Sequence, residues 1–142
     1  MNEPVPLDGD APEGVRGTVL AIEDDPISQA LLAGLLEGLP GVRLLQAGGA
    51  DEGIRMAREQ SPDLVLLDMK LGPASGLDVV RALSEPIASG RFDVVLLTGD
   101  TLSMEVLKAM SLGAREYWPK PVRLPRLLAA LVRAAARRDA RP

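Results

Sequence analysis

Three short apolar runs dominate this chain, and each stops abruptly at a carboxylate or hydroxyl side chain. Thr18-Val19-Leu20-Ala21-Ile22 gives way to Glu23-Asp24-Asp25, Leu64–Leu67 to Asp68, and Val94–Leu97 to Thr98. Runs that are apolar at nearly every position, rather than at alternate ones, read as strands buried on both faces. Such strands belong to a parallel sheet, because its crossover connections lay helices over each side. The carboxyl ends of parallel strands share one rim, which is where open α/β sheets bind ligands. The polar residues at 23–25, 68 and 98 therefore meet in space although they are far apart in the chain.

The remaining pattern fits an α/β domain with five strands. Val42–Gln46 and, more weakly, Arg115–Trp118 supply the other two, and helical spacing fills the intervals. The first helix is expected over Pro26–Leu39, with Pro26 in its first turn, Asp25 as its cap, and Ile27, Leu31, Leu35 and Leu39 as its apolar stripe. A second covers Ala50–Glu59 and closes at Ser61-Pro62. A third opens near Gly76 with Leu77, Val80 and Leu83. A fourth spans Leu102–Leu112 and ends at Gly113. The last, Leu124–Arg138, carries Leu124, Leu127, Leu128, Leu131 and Ala135 on one side. Residues 1–15 read as a flexible acidic lead-in, 16–138 as one domain, and 139–142 as a tail.

Two absences narrow the chemistry. The chain has no Cys and no His, which removes thiolate nucleophiles, zinc–sulfur sites and any imidazole base. A bound metal must take oxygen ligands, which favours Mg²⁺, Mn²⁺ or Ca²⁺. No apolar run reaches eighteen residues and Met1–Gly14 lacks the regions of a signal peptide, so the expected location is cytoplasmic. The net charge of −4 and few aromatics argue against nucleic acid as a partner. The arginines after Pro121 read as a solvated helix face, with Arg126, Arg133 and Arg137 on one side available to an acidic protein partner.

Glu23, Asp24 and Asp68 at one rim cannot all stay ionised without a counter-charge. A divalent cation supplies one, and Mg²⁺ suits carboxylates together with waters and a phosphate oxygen. A carboxylate beside such an ion can attack phosphorus and form an acyl phosphate. Thr98 and Lys120 then act as hydroxyl and ammonium donors to the remaining phosphoryl oxygens.

At this point the chain resembles the receiver domain of bacterial two-component response regulators over residues 17–138. Asp24 and Asp68 are 44 positions apart, Asp68 and Thr98 are 30, and Thr98 and Lys120 are 22, all spacings of that family. The resemblance implies a five-stranded parallel sheet in the flavodoxin-like order 2-1-3-4-5 with helices on both faces. It implies Asp68 as phosphoacceptor, Asp24 as a direct Mg²⁺ ligand, Glu23 as one through water, and the Lys70 backbone carbonyl as another. Thr98 would contact the phosphoryl group, Lys120 would pair with it, and Tyr117 would be the switch aromatic. The Lys120-Pro121 bond would be cis, and Gly76 matches the glycine that opens the loop after the acceptor. Lys70 and Asp100 occupy the positions that tune phosphoryl lifetime.

One departure stands out: Gly72-Pro73 replaces the proline usually found four residues after the acceptor, a change expected to loosen that loop. The implied partners are a sensor histidine kinase or His-phosphotransfer protein, and a downstream protein docking on the fourth helix, fifth strand and fifth helix. A homodimer is left open. The function expected is a phosphorylation-dependent switch, a phosphoacceptor and not a turnover enzyme. The chain's end soon after the last helix leads to the expectation of a single-domain regulator. Two other readings stand beside it. A Mg²⁺-dependent phosphohydrolase would use Asp68 as nucleophile, but such enzymes usually place an Asp where this chain has Lys70. A degenerate receiver would bind partners without phosphorylation, which the intact Asp24, Asp68, Thr98 and Lys120 disfavour.

Overall fold

A computed structural model describes residues 14–99 and 102–140. In chain order the elements are β1 (Gly17–Ile22), α1 (Pro26–Leu36), β2 (Val42–Ala47), α2 (Ala50–Gln60), β3 (Leu64–Asp68), β4 (Lys70–Leu71) and β5 (Ala74–Ser75). They continue with α3 (Gly76–Ala82), α4 (Ser84–Ala88), β6 (Asp93–Thr98), α5 (Met104–Ser111), β7 (Glu116–Pro119) and α6 (Leu124–Asp139). Five strands form a parallel sheet in the order β2-β1-β3-β6-β7. This is the expected 2-1-3-4-5 order, with the short strands β4 and β5 inserted between its third and fourth members.

Alternation along the strands divides the core into two layers. Leu20, Ile22, Val65, Leu67, Val94 and Leu96 pack with residues of α2, α3 and α5. Val19, Ala21, Leu64, Leu66, Val95 and Leu97 pack with α1, α6 and Trp118. Every residue of β3 and β6 is buried, which is why both runs are apolar throughout until their polar ends.

The first helix corrects its expected stripe. It ends at Leu36; Leu32 and Leu36 face the core, and the expected Leu35 and Leu39 pack with them, while Ile27 and Leu31 are 70% and 56% exposed. A helix turns every 3.6 residues, so each four-residue step drifts about 40° and a stripe spaced strictly by four winds off the buried face. Asp25 caps this helix as expected, accepting from the Ile27 and Ser28 amides and the Ser28 hydroxyl. The third helical segment is split into α3 and α4. Pro86 has no amide to donate to the Ala82 carbonyl. That carbonyl instead accepts from Arg58 Nη2 at 2.9 Å.

The loop after β3 is also tighter than expected. β4 and β5 pair antiparallel, Leu71 opposite Ala74, around Gly72-Pro73. Gly72 has φ +66, and a positive-φ glycine followed by proline is the pattern of a two-residue type II′ hairpin turn. Proline at position 72 could not adopt that angle.

The arginines of α6 are not a solvated face. Arg137 donates to the carbonyls of Gly90 and, at 3.0 Å, Asp63, and its Nε lies 3.3 Å from Asp93 Oδ1. Arg138 reaches Asp63 Oδ2 at 3.2 Å, the oxygen that also accepts from the Thr18 amide. The end of α6 is thereby tied to the amino ends of β1, β3 and β6. Higher on the helix, Arg133 pairs with Glu116, whose other oxygen accepts from the Trp118 indole at 2.9 Å. That indole bond, with Arg133 beside it, holds the Glu116 carboxyl below the ordinary glutamate range. Arg126 alone among these positions remains exposed.

Candidate phosphoacceptor site

Glu23, Asp68, Thr98 and Lys120 each sit at or just past the end of a sheet strand, with an extra backbone bond at each strand end. The Glu23 amide donates to the Ala47 carbonyl at 3.0 Å, extending the ladder between β1 and β2 by one step. The Met69 amide, directly after Asp68, donates to Leu97 O at 3.1 Å, and the Lys120 amide to Thr98 O at 2.8 Å. The four polar positions are therefore spaced by strand pairing and not by flexible loop.

Alternation then decides which carboxylates point inward. Glu23 and Asp68 are 3% and 5% exposed, whereas Asp24 is exposed at the rim. Lys120 Nζ lies between the buried pair, 2.9 Å from Glu23 Oε1 and 3.3 Å from Asp68 Oδ2. The remaining oxygens are engaged as well. Glu23 Oε2 accepts from the Asp25 amide and Asp68 Oδ1 from the Lys70 amide, both at 3.1 Å. Burial, with Asp68 close by, pushes the Glu23 carboxyl up despite the pull of Lys120. Burial pulls the Lys120 ammonium down, but its bond to Glu23 and the charge of Asp68 outweigh this and raise it above an ordinary lysine. The contact between them lowers the Glu23 carboxyl as it raises the Lys120 ammonium, so the lysine is the counter-charge of this cluster, while burial and Asp68 account for the net rise of Glu23.

The cluster opens onto a cleft of about 630 Å³ bordered by Asp24, Asp68, Lys70, Thr98, Ser103 and Lys120. Thr98 is 7% exposed. Glu23, Asp24 and Asp68 each offer a carboxylate oxygen, all within 4.8 Å of one another. Around Mg²⁺, bonds near 2.1 Å place ligand oxygens roughly 3–4.2 Å apart, so a small contraction would suffice. The hard, all-oxygen donor set fits that ion. Gly76 lets the next helix begin directly beneath Asp68: its amide donates to Met69 O at 3.0 Å. A Cβ at position 76 would stand 2.9 Å from the Asp68 carbonyl oxygen and 2.7 Å from Met69 Sδ.

The other candidates fall as follows. Tyr117 is 41% exposed on the face of β7 opposite Trp118, which is 2% exposed and belongs to the core. The Lys70 side chain is exposed at the mouth of the cleft. The Lys120–Pro121 peptide is cis. Asp100 and the acidic segment 1–13 lie outside the described residues. Two residues escaped the sequence reading. Gln29 donates to the Glu23 carbonyl at 2.7 Å, and Ser103 caps α5 at the cleft's far wall. Only their positions near helix starts could have hinted at them.

The family profile of the response regulator receiver domain matches residues 19–132. The DNA-binding response regulator MtrA of Mycolicibacterium smegmatis is 35% identical over 125 residues, 88% of this chain and 53% of that protein. The two-component response regulator PprB of Pseudomonas aeruginosa is 33% identical over 90% of this chain and 47% of its own length. The chain thus spans about half the length of the curated relatives it matches. A receiver domain crystal structure from Clostridium thermocellum aligns with a TM-score of 0.74 and 32% identity, covering 86% of this chain and 96% of that one. The chain belongs to the response-regulator receiver domains of two-component signalling, whose function is a phosphorylation-dependent switch.

Proposed function

We propose that Asp68 is the phosphoacceptor, and that residues 16–138 form the switch that its phosphorylation sets. The observation that carries this is Lys120, held by Glu23 and Asp68 together at the strand rim, beside Thr98 and a cluster of three carboxylates close enough to share an ion. Asp24 and Asp68 would hold Mg²⁺ directly, Glu23 through water, and the Lys70 carbonyl would complete the protein's share. The ion supplies charge neutralisation for the phosphoryl oxygens. An Asp68 oxygen attacks phosphorus and the donor's leaving group departs with its electron pair, giving an acyl phosphate on this side chain. Lys120 then exchanges a carboxylate for a phosphoryl oxygen, and Thr98 donates its hydroxyl to another.

The donor is a histidine kinase or His-phosphotransfer protein; this chain has no His of its own. The exposed apolar residues Ile27 and Leu31 on α1, beside the site, suit cover by such a protein. Output goes through α5, β7 and α6, where Met104, Leu107, Tyr117 and Val132 are exposed. Tyr117, now outward, turns inward as Thr98 moves. The shift of population is no larger than the phosphoryl group's preference for the active arrangement. Among the described residues no helix is long and apolar enough to cross a membrane, in keeping with a place in the cytoplasm. The chain acts as a phosphoacceptor and not as a turnover enzyme; contact with DNA belongs to MtrA by its name and is not assigned to these residues.

Two outcomes test the site. At 100-fold excess over its dissociation constant Mg²⁺ stabilises the fold by about 2.7 kcal/mol. A thermal melt of wild type should show that rise and Asp24→Asn should lose most of it; an equal rise in both would remove Asp24 from the metal site. The phosphoryl half-life, followed by decay of the mass adduct, should change several-fold in Lys70→Ala or Asp100→Ala. Unchanged half-lives in both would end the assignment of these positions as tuners.

A further inference from the structure

Gln29 ties the acidic rim of the sheet to the first turn of α1. Its amide donates to Asp25 O at 3.0 Å, which places the residue one turn inside the helix. Helical side chains lean toward the amino end of their helix. This one reaches six residues back, where its Nε2 donates to Glu23 O at 2.7 Å. Glu23 is 3% exposed, and a buried carbonyl past the end of a strand requires a partner. The Glu23 amide, in turn, donates to Ala47 O at 3.0 Å. Gln46 Nε2, one residue earlier on β2, lies 3.4 Å from Gln29 O. β1, β2 and α1 are thereby closed into a ring beside one peptide unit, the one that joins Glu23 to Asp24.

That peptide carries two of the three carboxylates of the acidic cluster, whose oxygens lie within 4.8 Å of one another. Asp24 is exposed at the rim, so its carboxylate is aimed by the backbone and not by packing. Any rotation of the Glu23–Asp24 peptide would swing it relative to Asp68. The two hard cations differ in how much of that they tolerate. Mg²⁺ demands near-ideal octahedral geometry at about 2.1 Å, whereas Ca²⁺ accepts more oxygens, at about 2.3–2.6 Å, in a flexible arrangement.

We propose that Gln29 is a positioning residue of the metal site: its bond fixes the Glu23–Asp24 peptide and so aims the Asp24 carboxylate at the place shared with Asp68. The inference rests on the metal reading of that cluster. Gln29 and Glu23 also border a cavity of about 40 Å³ with Leu32, Leu97 and Lys120, room enough for a water. Water can therefore serve the Glu23 carbonyl when the side-chain amide is removed, but it tethers that carbonyl to nothing. Loss of Gln29 thus costs geometry more than stability.

The test uses Gln29→Met, which keeps the length, the apolar stem and the helix propensity but has no N–H to donate. The whole chain, wild type and variant, is titrated with MgCl₂ and separately with CaCl₂ at constant ionic strength. Binding is followed in nitrogen–proton spectra by the Asp25 and Lys70 amides, which donate to Glu23 and Asp68. A metal-free melt of each protein reports stability. The expected result is Mg²⁺ affinity about tenfold weaker in the variant and Ca²⁺ affinity changed less than about threefold. The metal-free melting midpoint should fall by no more than roughly 5 °C. Equal weakening of both ions would mean general damage to the cluster and would overturn the proposal. Wild type and variant binding Mg²⁺ alike would overturn it alone, leaving the metal site standing. Wild type that binds neither ion saturably would overturn the metal site, and this inference with it.

Discussion

Trp118→Ala is expected to destabilise the domain by about 3–5 kcal/mol, the range for deleting a buried aromatic from a close-packed core. Three links make it costly. The indole is 2% exposed among Leu97, Leu127 and Leu131, so truncation opens a cavity between β7 and α6. β7 is an edge strand paired only with β6, so little else holds it. The indole N–H also donates to Glu116, which leaves that carboxylate with Arg133 alone. Urea unfolding followed by circular dichroism would measure the loss. A change under 1 kcal/mol would mean that β7 is fastened elsewhere, and the route from Tyr117 to α6 would need another carrier.

Lys120→Ala should lower stability by about 2–4 kcal/mol in metal-free buffer. Removing one partner of a buried ion pair typically costs 3–5 kcal/mol, and the lysine side chain is 24% exposed, which moderates the figure. Two buried carboxylates then lack their ammonium. The variant should regain most of the loss when Mg²⁺ is added, because the ion replaces the missing charge, and should bind Mg²⁺ more tightly than wild type. For a chain of this size each kcal/mol moves the melting midpoint by roughly 3–5 °C, so melts with Mg²⁺ and with chelator separate the cases. A loss that Mg²⁺ does not repair would show that Lys120 acts through packing and not through charge.

The convergence of Glu23, Asp24, Asp68, Thr98 and Lys120 was legible because strand runs and parallel pairing are local patterns with one geometric outcome. What the pattern could not show was which carboxylate Lys120 favours, since that depends on tenths of an ångström between neighbouring strand ends. The misplaced stripe of α1 has a different cause. Ile27 and Leu31 satisfy helical spacing as well as Leu32 and Leu36 do, and only the sheet decides which pair is covered. The break between α3 and α4 leaves over the Ala82 carbonyl, which Arg58 takes from twenty-four positions away. The arginines of α6 looked solvated because their partners, Asp63 just before β3, Asp93 on β6 and Glu116 on β7, are not brought beneath the helix by composition alone.

The central claim, that Asp68 takes up a phosphoryl group with help from a metal, is tested most directly by intact-mass spectrometry after incubation with acetyl phosphate. Wild type and Asp68→Asn are compared with and without Mg²⁺, alongside a generic phosphomonoester to detect turnover. The account predicts a single phosphoryl adduct on wild type in Mg²⁺, none on Asp68→Asn or in chelator, and no phosphomonoester turnover. An adduct that persists in Asp68→Asn, or none on wild type while a control receiver is modified, would contradict it.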